Sequence, residues 1–267
     1  MFTDPHPHLN RRKFADAAAE VLDGAVAAGV TGFLNVGYDP ESSVVSVALA
    51  ERDPRFRAAI GVHPHDAARL ADAEGVITGE GARVLEELAE LARHPGVVAV
   101  GEIGLDFYRD LSPRPAQRAA FAAQVALADR LDLPVVLHIR DAYDEIIAMM
   151  EADGPPRRRG IMHSFAGAAR AAAWGVANGF LLGIGGPVTY RNSRLPGILA
   201  ELRPENLVLE TDAPWLPPQP FRGQRNEPAY LVHTAEAVAA IYGLAPADLA
   251  RITDETFARF CGREAGA

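Results

Sequence analysis

A chain of 267 residues, 49% of them hydrophobic, is long enough for one large barrel domain or two small domains. Its net charge of −9 argues against a protein that coats long duplex DNA, because such proteins are usually basic; a nucleic-acid substrate would need a local patch. The sequence has no apolar run of about 18 residues, its start MFTDPHPHLNRRKF does not resemble a signal peptide, and its one cysteine, Cys261, excludes an internal disulfide, so we expect a cytoplasmic protein without membrane contacts.

Eight short apolar runs along the chain predict β-strands. The runs are continuous rather than alternating, as expected of parallel strands that are buried on both faces. In chain order they cover residues 1–4, 32–36, 57–62, 97–101, 134–138, 161–163, 180–184 and 207–210.

Longer stretches rich in alanine, leucine, glutamate and arginine lie between the strands and predict helices. They cover residues 12–28, 82–93, 114–131, 143–151, 168–177, 195–201, 228–241 and 246–259. Strands that alternate with helices predict right-handed βαβ units. Eight such strands favour an α/β fold with a single-domain (β/α)8 TIM-type barrel over residues 1–267, rather than an open doubly wound sheet. No glycine-rich phosphate-binding motif follows the first strand, which argues against nucleotide-binding folds.

Side chains that can bind metal ions lie at the ends of five predicted strands. They are His6 and His8 after the first, Glu102 after the fourth, His138 at the fifth, His163 at the sixth and Asp212 after the eighth. Because the C-terminal ends of barrel strands converge on one mouth, we expect these six side chains to meet there.

The chemistry of these residues suits two divalent cations. His6 and His8 are two positions apart in an extended segment, so both imidazoles point the same way and can reach one ion. Glu102 can bridge two ions, while His138 and His163 hold the second. Two ions about 3.5–4 Å apart would activate a water for hydrolysis near neutral pH. A single histidine at a strand end is more often a hydrogen-bonded core residue, but six such groups buried without partners would be costly.

Seven motifs in this sequence resemble those of the TatD-related DNases. They are DPHPHL, GVHPHDA, GEIGLDFYRD, LHIRDA, MHSFAG, ETDAPWLPP and RGQRNEPAYL, and they occur in the order and spacing of that family from about residue 2 to residue 260. HxH or ETD alone would be a weak signal, but together the motifs are specific.

The resemblance implies a metal-dependent hydrolase of the amidohydrolase-like barrel superfamily with two divalent ions. His6, His8, Glu102 and Asp212 would hold one ion, and Glu102, His138 and His163 the other. Asp212 would also be a general base that orients the attacking water and then protonates the leaving oxygen, so Asp212 and Glu102 are the expected catalytic residues. Family members cleave nucleic-acid phosphodiesters, often from a 3′ end, and usually with Mg²⁺.

One position departs from the family pattern. The opening motif commonly ends in His-Leu-Asp, whereas this chain has His8-Leu9-Asn10. Asn10 carries no charge but can still hydrogen-bond, so we expect the metal site to be intact. Asp4, before the HxH pair, either orients a ligand histidine or simply ends the strand.

Three residues are candidates for binding substrate. His63 follows the third strand and therefore faces the same mouth, and Arg225 and Asn226 lie on the long loop after the eighth strand. Four aromatic residues that follow strands four, six, seven and eight are candidates to stack a base, although packing within a loop is the commoner use of such side chains: Tyr108, Phe165, Tyr190 and Trp215.

The leading hypothesis is an exonuclease that cleaves phosphodiester bonds at nucleic-acid ends, with a single-stranded 3′ end of DNA as substrate and with the enzyme as a monomer. The alternative is a small ester, lactone, amide or aminoacyl ester hydrolysed by the same site, because barrels share this chemistry across substrates. A non-catalytic binder is disfavoured, since every expected ligand is present. Four histidines suit Zn²⁺ or Mn²⁺ by ligand softness, whereas the family favours Mg²⁺, so the identity of the metal stays open.

Overall fold

The structure is a computed structural model that describes residues 1–14 and 17–262. Eight parallel strands pair in chain order. They are β1 (Phe2–Asp4), β2 (Val30–Val36), β3 (Phe56–Ile60), β4 (Val97–Asp106), β5 (Val135–Arg140), β6 (Gly160–Met162), β7 (Leu181–Ile184) and β8 (Leu207–Leu209). Beyond the outer two strands, Asp212 N–H donates to His6 O over 2.9 Å and His8 N–H to Ala213 O over 2.8 Å. These bonds bring the last strand to the first, and the predicted (β/α)8 barrel is confirmed.

Nine α-helices are present in the described part of the chain. They are α1 (Ala18–Ala27), α2 (Pro40–Arg52), α3 (Gly79–Leu91), α4 (Arg114–Leu131), α5 (Tyr143–Asp153), α6 (Ala169–Ala177), α7 (Leu195–Leu199), α8 (Leu231–Tyr242) and α9 (Pro246–Phe260). The helix predicted over 12–28 is shorter: a 3-10 turn at Arg12–Phe14 precedes α1, and residues 15 and 16 lie outside the described residues. None of the described helices has the length and apolarity to cross a membrane.

Helix α2 was not among the predicted helices. Its buried residues are Ser42, Ser43 and Ser46, whereas Val44 and Val45 are exposed, so its pattern is the reverse of an amphipathic helix. The local signal lies at its start, where Asp39 accepts a hydrogen bond from Ser42 N–H and proline occupies the first turn. Small serine side chains allow α2 to approach the barrel closely.

Strand β4 is longer than predicted and carries Glu102 in its middle rather than at its end. Pairing with β5 continues beyond Glu102, with Ile103 beside Leu137 and Asp106 beside Arg140. Gly104 allows this close pairing, because its φ is +143° and a Cβ there would lie 2.0 Å from the His138 carbonyl oxygen. All ten residues of β4 are buried, so both Glu102 and Asp106 are held inside the barrel mouth.

The opposite end of the barrel is covered by α9. Phe257 and Phe260 of this helix pack in one cluster with apolar side chains of the strands, among them Leu34, Val136 and Ile161. Asp254 of α9 accepts a hydrogen bond from Thr3 N–H at the start of β1 over 2.8 Å. The N-terminal end of the barrel is therefore closed, and the C-terminal mouth is left for the site.

Candidate metal centre

The carboxylate of Glu102 lies at the centre of a histidine cluster in the barrel mouth. Its Oε2 is 3.6 Å from His6 Nε2 and 3.4 Å from His8 Nε2. Its Oε1 is 2.8 Å from His138 Nδ1 and 3.4 Å from His163 Nε2. Four imidazoles from the ends of three strands thus surround one carboxylate, as the order of strands around a barrel requires.

Asp212 lies beside this cluster, with Oδ1 3.6 Å from His8 Nε2. Its backbone has φ +57° and its N–H donates to His6 O, which ties the residue to the segment after β1. Asparagine and aspartate tolerate this left-handed backbone better than most residues. The structure therefore brings together all six side chains predicted as ligands, while their binding of metal ions stays a prediction.

The donors fall into three groups in which the ligand atoms lie within 4.8 Å of one another. The groups are His6, Glu102 and His163; His6, His8 and Asp212; and His63, Glu102 and His138. Both ring nitrogens of His6 are buried without a hydrogen-bond partner. An unpaired buried nitrogen costs free energy unless a ligand satisfies it, and imidazole with carboxylate suits a divalent cation. The residues present therefore fit a metal centre.

Outer contacts orient two of the imidazoles. His8 Nδ1 lies 3.0 Å from Val36 O, and His163 Nδ1 lies 2.9 Å from Glu210 Oε1. Each Nδ1 donates its proton to that oxygen, so each Nε2 is left with a lone pair that faces Glu102. Such outer partners fix the ring orientation and the tautomer of a ligand histidine.

A second buried carboxylate, Asp106, holds His138 and His65. Its Oδ2 is 3.1 Å from His138 Nε2 and 2.7 Å from His65 Nε2. Its Oδ1 accepts hydrogen bonds from the backbone N–H groups of Tyr108 and Arg109. His138 is therefore clamped between Glu102 on one ring nitrogen and Asp106 on the other.

Burial keeps most of the clustered histidines neutral. It lowers the pKa of His6 to about 4 and that of His163 to about 3, and it holds the pKa of His63 well below its usual value. His138 differs: burial would lower its pKa, but hydrogen bonds to Asp106 and Glu102 outweigh burial and raise the pKa to about 9. Neutral imidazoles have the free lone pair that a metal ion needs.

The carboxylates of the cluster repel one another. Burial, together with the charges of Glu102 and Glu210, raises the pKa of Asp212 well above its usual value. Burial also raises the pKa of Glu210 to about 7. Burial opposes ionisation of Glu102 too, but the surrounding imidazoles outweigh it and hold the Glu102 pKa well below its usual range. A cation among these groups would relieve the repulsion.

The chain matches a known protein family. The family model described as TatD related DNase matches residues 3–262, which is nearly the whole chain. The chain belongs to the TatD-related DNase family. The resemblance seen in the sequence motifs is thus confirmed.

Relatives within the TatD-related family match over most of their length. The chain is 36% identical to the "Uncharacterized metal-dependent hydrolase YabD" of Bacillus subtilis (strain 168), with 97% of this chain and 98% of the relative covered. It is 36% identical to the "3'-5' ssDNA/RNA exonuclease TatD" of Rahnella sp. (strain Y9602), with 93% of each covered. The crystal structure of YJJV, a TATD homolog from Escherichia coli K12, aligns with a TM-score of 0.88 and 30% identity over 97% of each chain.

His63 lies closer to the centre than its expected role at the substrate implies. Its Nε2 is 3.6 Å from Glu102 Oε1, and it forms one of the donor groups with Glu102 and His138. Its Nδ1 accepts a hydrogen bond from His65 N–H, so in the neutral ring the proton is on Nε2, which faces Glu102. The geometry makes His63 Nε2 a hydrogen-bond donor at the centre, which suits a contact with substrate better than a role as metal ligand. In the sequence, the position of His63 directly after β3 was the signal for its place near Glu102.

Arg225 and Asn226 hold the loop after β8. Asn226 is fully buried, and its Nδ2 donates to Thr211 O over 2.7 Å and to Trp215 O over 2.6 Å. Arg225 pairs with Glu227 Oε1 over 2.7 Å and donates to Lys13 O over 2.8 Å. These contacts are all within the protein, so the expected binding of substrate by the two residues stays a prediction without support from the geometry.

Asp4 and Asn10 have structural partners near the centre. Asp4 accepts hydrogen bonds from His6 N–H over 3.2 Å and from both the backbone and the hydroxyl of Thr211. Asp4 therefore joins β1 to the segment after β8 by hydrogen bonds and fixes the position of the His6 backbone. Asn10 Nδ2 donates to Val36 O over 2.9 Å, the same carbonyl that accepts from His8. The neutral amide thus hydrogen-bonds beside His8, a predicted ligand, as expected.

Two residues of the centre were missed from the sequence. Asp106 contacts two histidines and Glu210 contacts His163, yet neither was singled out. Both lie within family motifs, GEIGLDFYRD and ETDAPWLPP, and this was the only signal in the sequence. Their partners come from other strands, so the contacts depend on the assembled barrel.

Proposed function

We propose that this chain is a divalent-metal-dependent phosphodiesterase that removes nucleotides from the 3′ end of a single nucleic-acid strand. The observation that carries the proposal is the convergence of five imidazoles and the Asp212 carboxylate around Glu102 at the barrel mouth. The family match and the nuclease names of relatives give the substrate class.

Two divalent ions are assigned to the six predicted ligands. His6, His8, Glu102 and Asp212 would hold one, and Glu102, His138 and His163 the other. When bound, such ions stabilise the charge that develops on a phosphoryl oxygen and lower the pKa of water. Mg²⁺, Zn²⁺ and Mn²⁺ are the candidates, of which the imidazole-rich donor set favours the latter two.

Each residue around this centre would have its own role in hydrolysis. Asp212, with Oδ1 3.6 Å from His8 Nε2, would orient the attacking water, accept its proton and return it to the leaving oxygen. Glu102 stays anionic between the imidazoles and supplies the negative charge that holds the cations. Asp106 and Glu210 fix the rings of His138 and His163 and so keep the geometry rigid.

We further propose that the enzyme is cytoplasmic and monomeric. A single cysteine fits a reducing compartment, so we place the enzyme in the cytoplasm. All the donors of the centre come from one chain, so a monomer suffices for the chemistry.

The direct test uses a single-stranded oligodeoxynucleotide labelled at its 5′ end, incubated with protein loaded with Mg²⁺, Mn²⁺ or Zn²⁺. A 3′ exonuclease produces a ladder of labelled products that shortens stepwise, and a 3′-terminal phosphorothioate delays it. Glu102→Ala and Asp212→Asn should reduce the rate by at least about 10²-fold with the fold retained. Asp141→Asn is the matched control, because Asp141 is exposed in the loop after β5.

A panel of small esters, lactones, amides and aminoacyl esters run beside the oligonucleotide tests the alternative substrates. Turnover of one of these compounds without oligonucleotide cleavage by any metal form would overturn the nuclease proposal. Equal oligonucleotide cleavage by Glu102→Ala would overturn the metal mechanism.

A further inference from the structure

Two cations next to the metal centre are held by aromatic rings. The guanidinium carbon of Arg11 lies 3.6 Å from the centroid of the Tyr38 ring, and Lys13 Nζ lies 3.9 Å from the centroid of a Trp215 ring. Arg11 also lies 5.8 Å from Trp215. The four side chains therefore form one unit, which we call the Arg11–Trp215 cluster.

The cluster adjoins the metal centre on the side of β1, β2 and β8. The Tyr38 ring meets the His8 ring edge to face, with centroids 5.7 Å apart. The backbone N–H of Trp215 donates to the Asp212 backbone oxygen over 2.7 Å, which fixes Trp215 beside a predicted metal ligand. A strand whose scissile phosphate lay at Glu102 and Asp212 would pass over this cluster with its neighbouring nucleotide.

Both cations keep their positive charge available for a ligand. Within residues 1–14 and 17–262, neither Arg11 nor Lys13 forms an ion pair with a carboxylate, whereas Arg225 nearby pairs with Glu227. Aromatic rings position a cation without neutralising it. Arg11 Nε is also buried without a hydrogen-bond partner, which is costly unless a ligand supplies one.

The cluster also offers a surface for a base. Trp215 is 40% exposed although it carries a large apolar ring. Any base can stack on such a ring, provided that one face of the base is not covered by another group. In a chain of net charge −9, two cations that form no ion pair within the described residues lie beside an exposed indole and offer a local site for a phosphate and its base.

We propose that the Arg11–Trp215 cluster binds one nucleotide of a single strand, with its phosphate between Arg11 and Lys13 and its unpaired base against Trp215. The inference rests on the proposed function, because the cluster would act on the strand that the metal centre cleaves. A base-paired nucleotide has no free face for Trp215, so the cluster selects single strands over duplexes. DNA and RNA share the phosphate and the base, so both fit.

Equilibrium binding tests the cluster independently of hydrolysis. The probe is a fluorescein-labelled ten-nucleotide strand with phosphorothioate linkages, measured by anisotropy on metal-loaded protein. Lys13→Gln and Trp215→Leu should each raise Kd about 3- to 10-fold, and Lys13→Gln should reduce the slope of log Kd against log salt by about 0.7, the value for one phosphate contact on a single strand. Arg52→Gln is the control, because Arg52 is exposed on the last turn of α2, and it should leave Kd unchanged.

Chemical labelling gives a second measurement, because Lys13 is the only lysine of the chain. An amine-selective acetylating reagent will modify Lys13 and the N-terminal amine of Met1, and mass spectrometry separates the two. A bound single strand should slow acetylation of Lys13 several-fold and leave that of Met1 as an internal reference. A duplex of the same sequence should protect Lys13 less.

The results separate the two proposals. Unchanged Kd and salt slope in Lys13→Gln, or equal acetylation of Lys13 with and without the strand, would overturn the assignment of the cluster. A wild-type protein that binds the strand with Lys13 protected, but does not cleave it, would uphold the cluster and refute the nuclease activity. Deoxyribose and ribose strands run in parallel would show whether the cluster distinguishes them.

Discussion

Glu210 Oε1 accepts a hydrogen bond from His163 Nδ1 over 2.9 Å, and it also accepts from the backbone N–H of Ser164. The contact leaves His163 Nε2 as the nitrogen that faces Glu102, 3.4 Å away. A residue just after the last strand thus sets the ring orientation of a donor that follows β6.

Replacing Glu210 with alanine should therefore weaken metal binding. The His163 ring would lose the acceptor that fixes its tautomer, and loss of such an outer partner typically costs 10- to 100-fold in metal affinity. Competition with a fluorescent chelator measures the affinity. Glu210→Gln keeps an acceptor oxygen and should lose less. Equal affinity in the alanine variant and the wild type would contradict this role of Glu210.

Asp106→Leu should lower the metal content of the protein. His138 and His65 would both lose the carboxylate that they share, so His138 would no longer be clamped toward Glu102. We expect fewer ions per chain by elemental analysis after dialysis at limiting metal. Asp141→Asn, at an exposed position just after β5, should keep the full content. Full occupancy in Asp106→Leu would show that His138 needs no second partner.

Gly104→Ala should destabilise the barrel. A Cβ at this position would lie 2.0 Å from the His138 carbonyl oxygen, on a backbone with φ +143°. We expect a loss of about 2–4 kcal/mol in the free energy of unfolding by urea denaturation. Gly24→Ala in α1 is the matched control, since nothing lies within 4 Å of its Cβ, and it should stabilise by about 0.5–1 kcal/mol. Similar values for both variants would contradict the close pairing of β4 with β5.

Asp254 should make stability depend on pH. Burial raises its pKa in the folded protein above the value of 3.8 expected for an exposed aspartate. The folded state then binds this proton more tightly than the unfolded state does, so the contribution of Asp254 to stability falls as the pH rises through its raised pKa. Relative to Asp254→Asn, the wild type should be more stable at pH 4 than at pH 7 in urea unfolding. A constant difference between the two proteins would exclude this effect.

The strands and most helices could be predicted from the sequence for a simple reason. Each barrel strand is buried on both faces, so each is a continuous apolar run, and all eight runs correspond to strands. The outer helices bury one face and are regular in sequence. Helix α2 was not predicted because its inward face is made of Ser42, Ser43 and Ser46, a pattern that hydrophobic periodicity does not detect.

The position of the centre was predictable because topology alone carries strand ends to one mouth. The details were not, because they depend on how far each strand extends. Strand β4 was expected to end at Gly101 and continues to Asp106, which places a second carboxylate two pleat repeats beyond Glu102, on the same face of the strand. Contacts such as Asp106 with His65 join residues 41 positions apart, and no local pattern marks them.

The hydrogen-bonded link between Asp4 and Thr211 has a consequence for the assembly of the enzyme during its synthesis. It joins the beginning of the chain to a point more than 200 residues later, and His6 and Asp212 lie immediately beyond it on either side. A growing polypeptide cannot assemble the centre until Asp212 has been synthesised and has reached the first strand. An incomplete chain therefore lacks the centre on which the proposed hydrolysis depends.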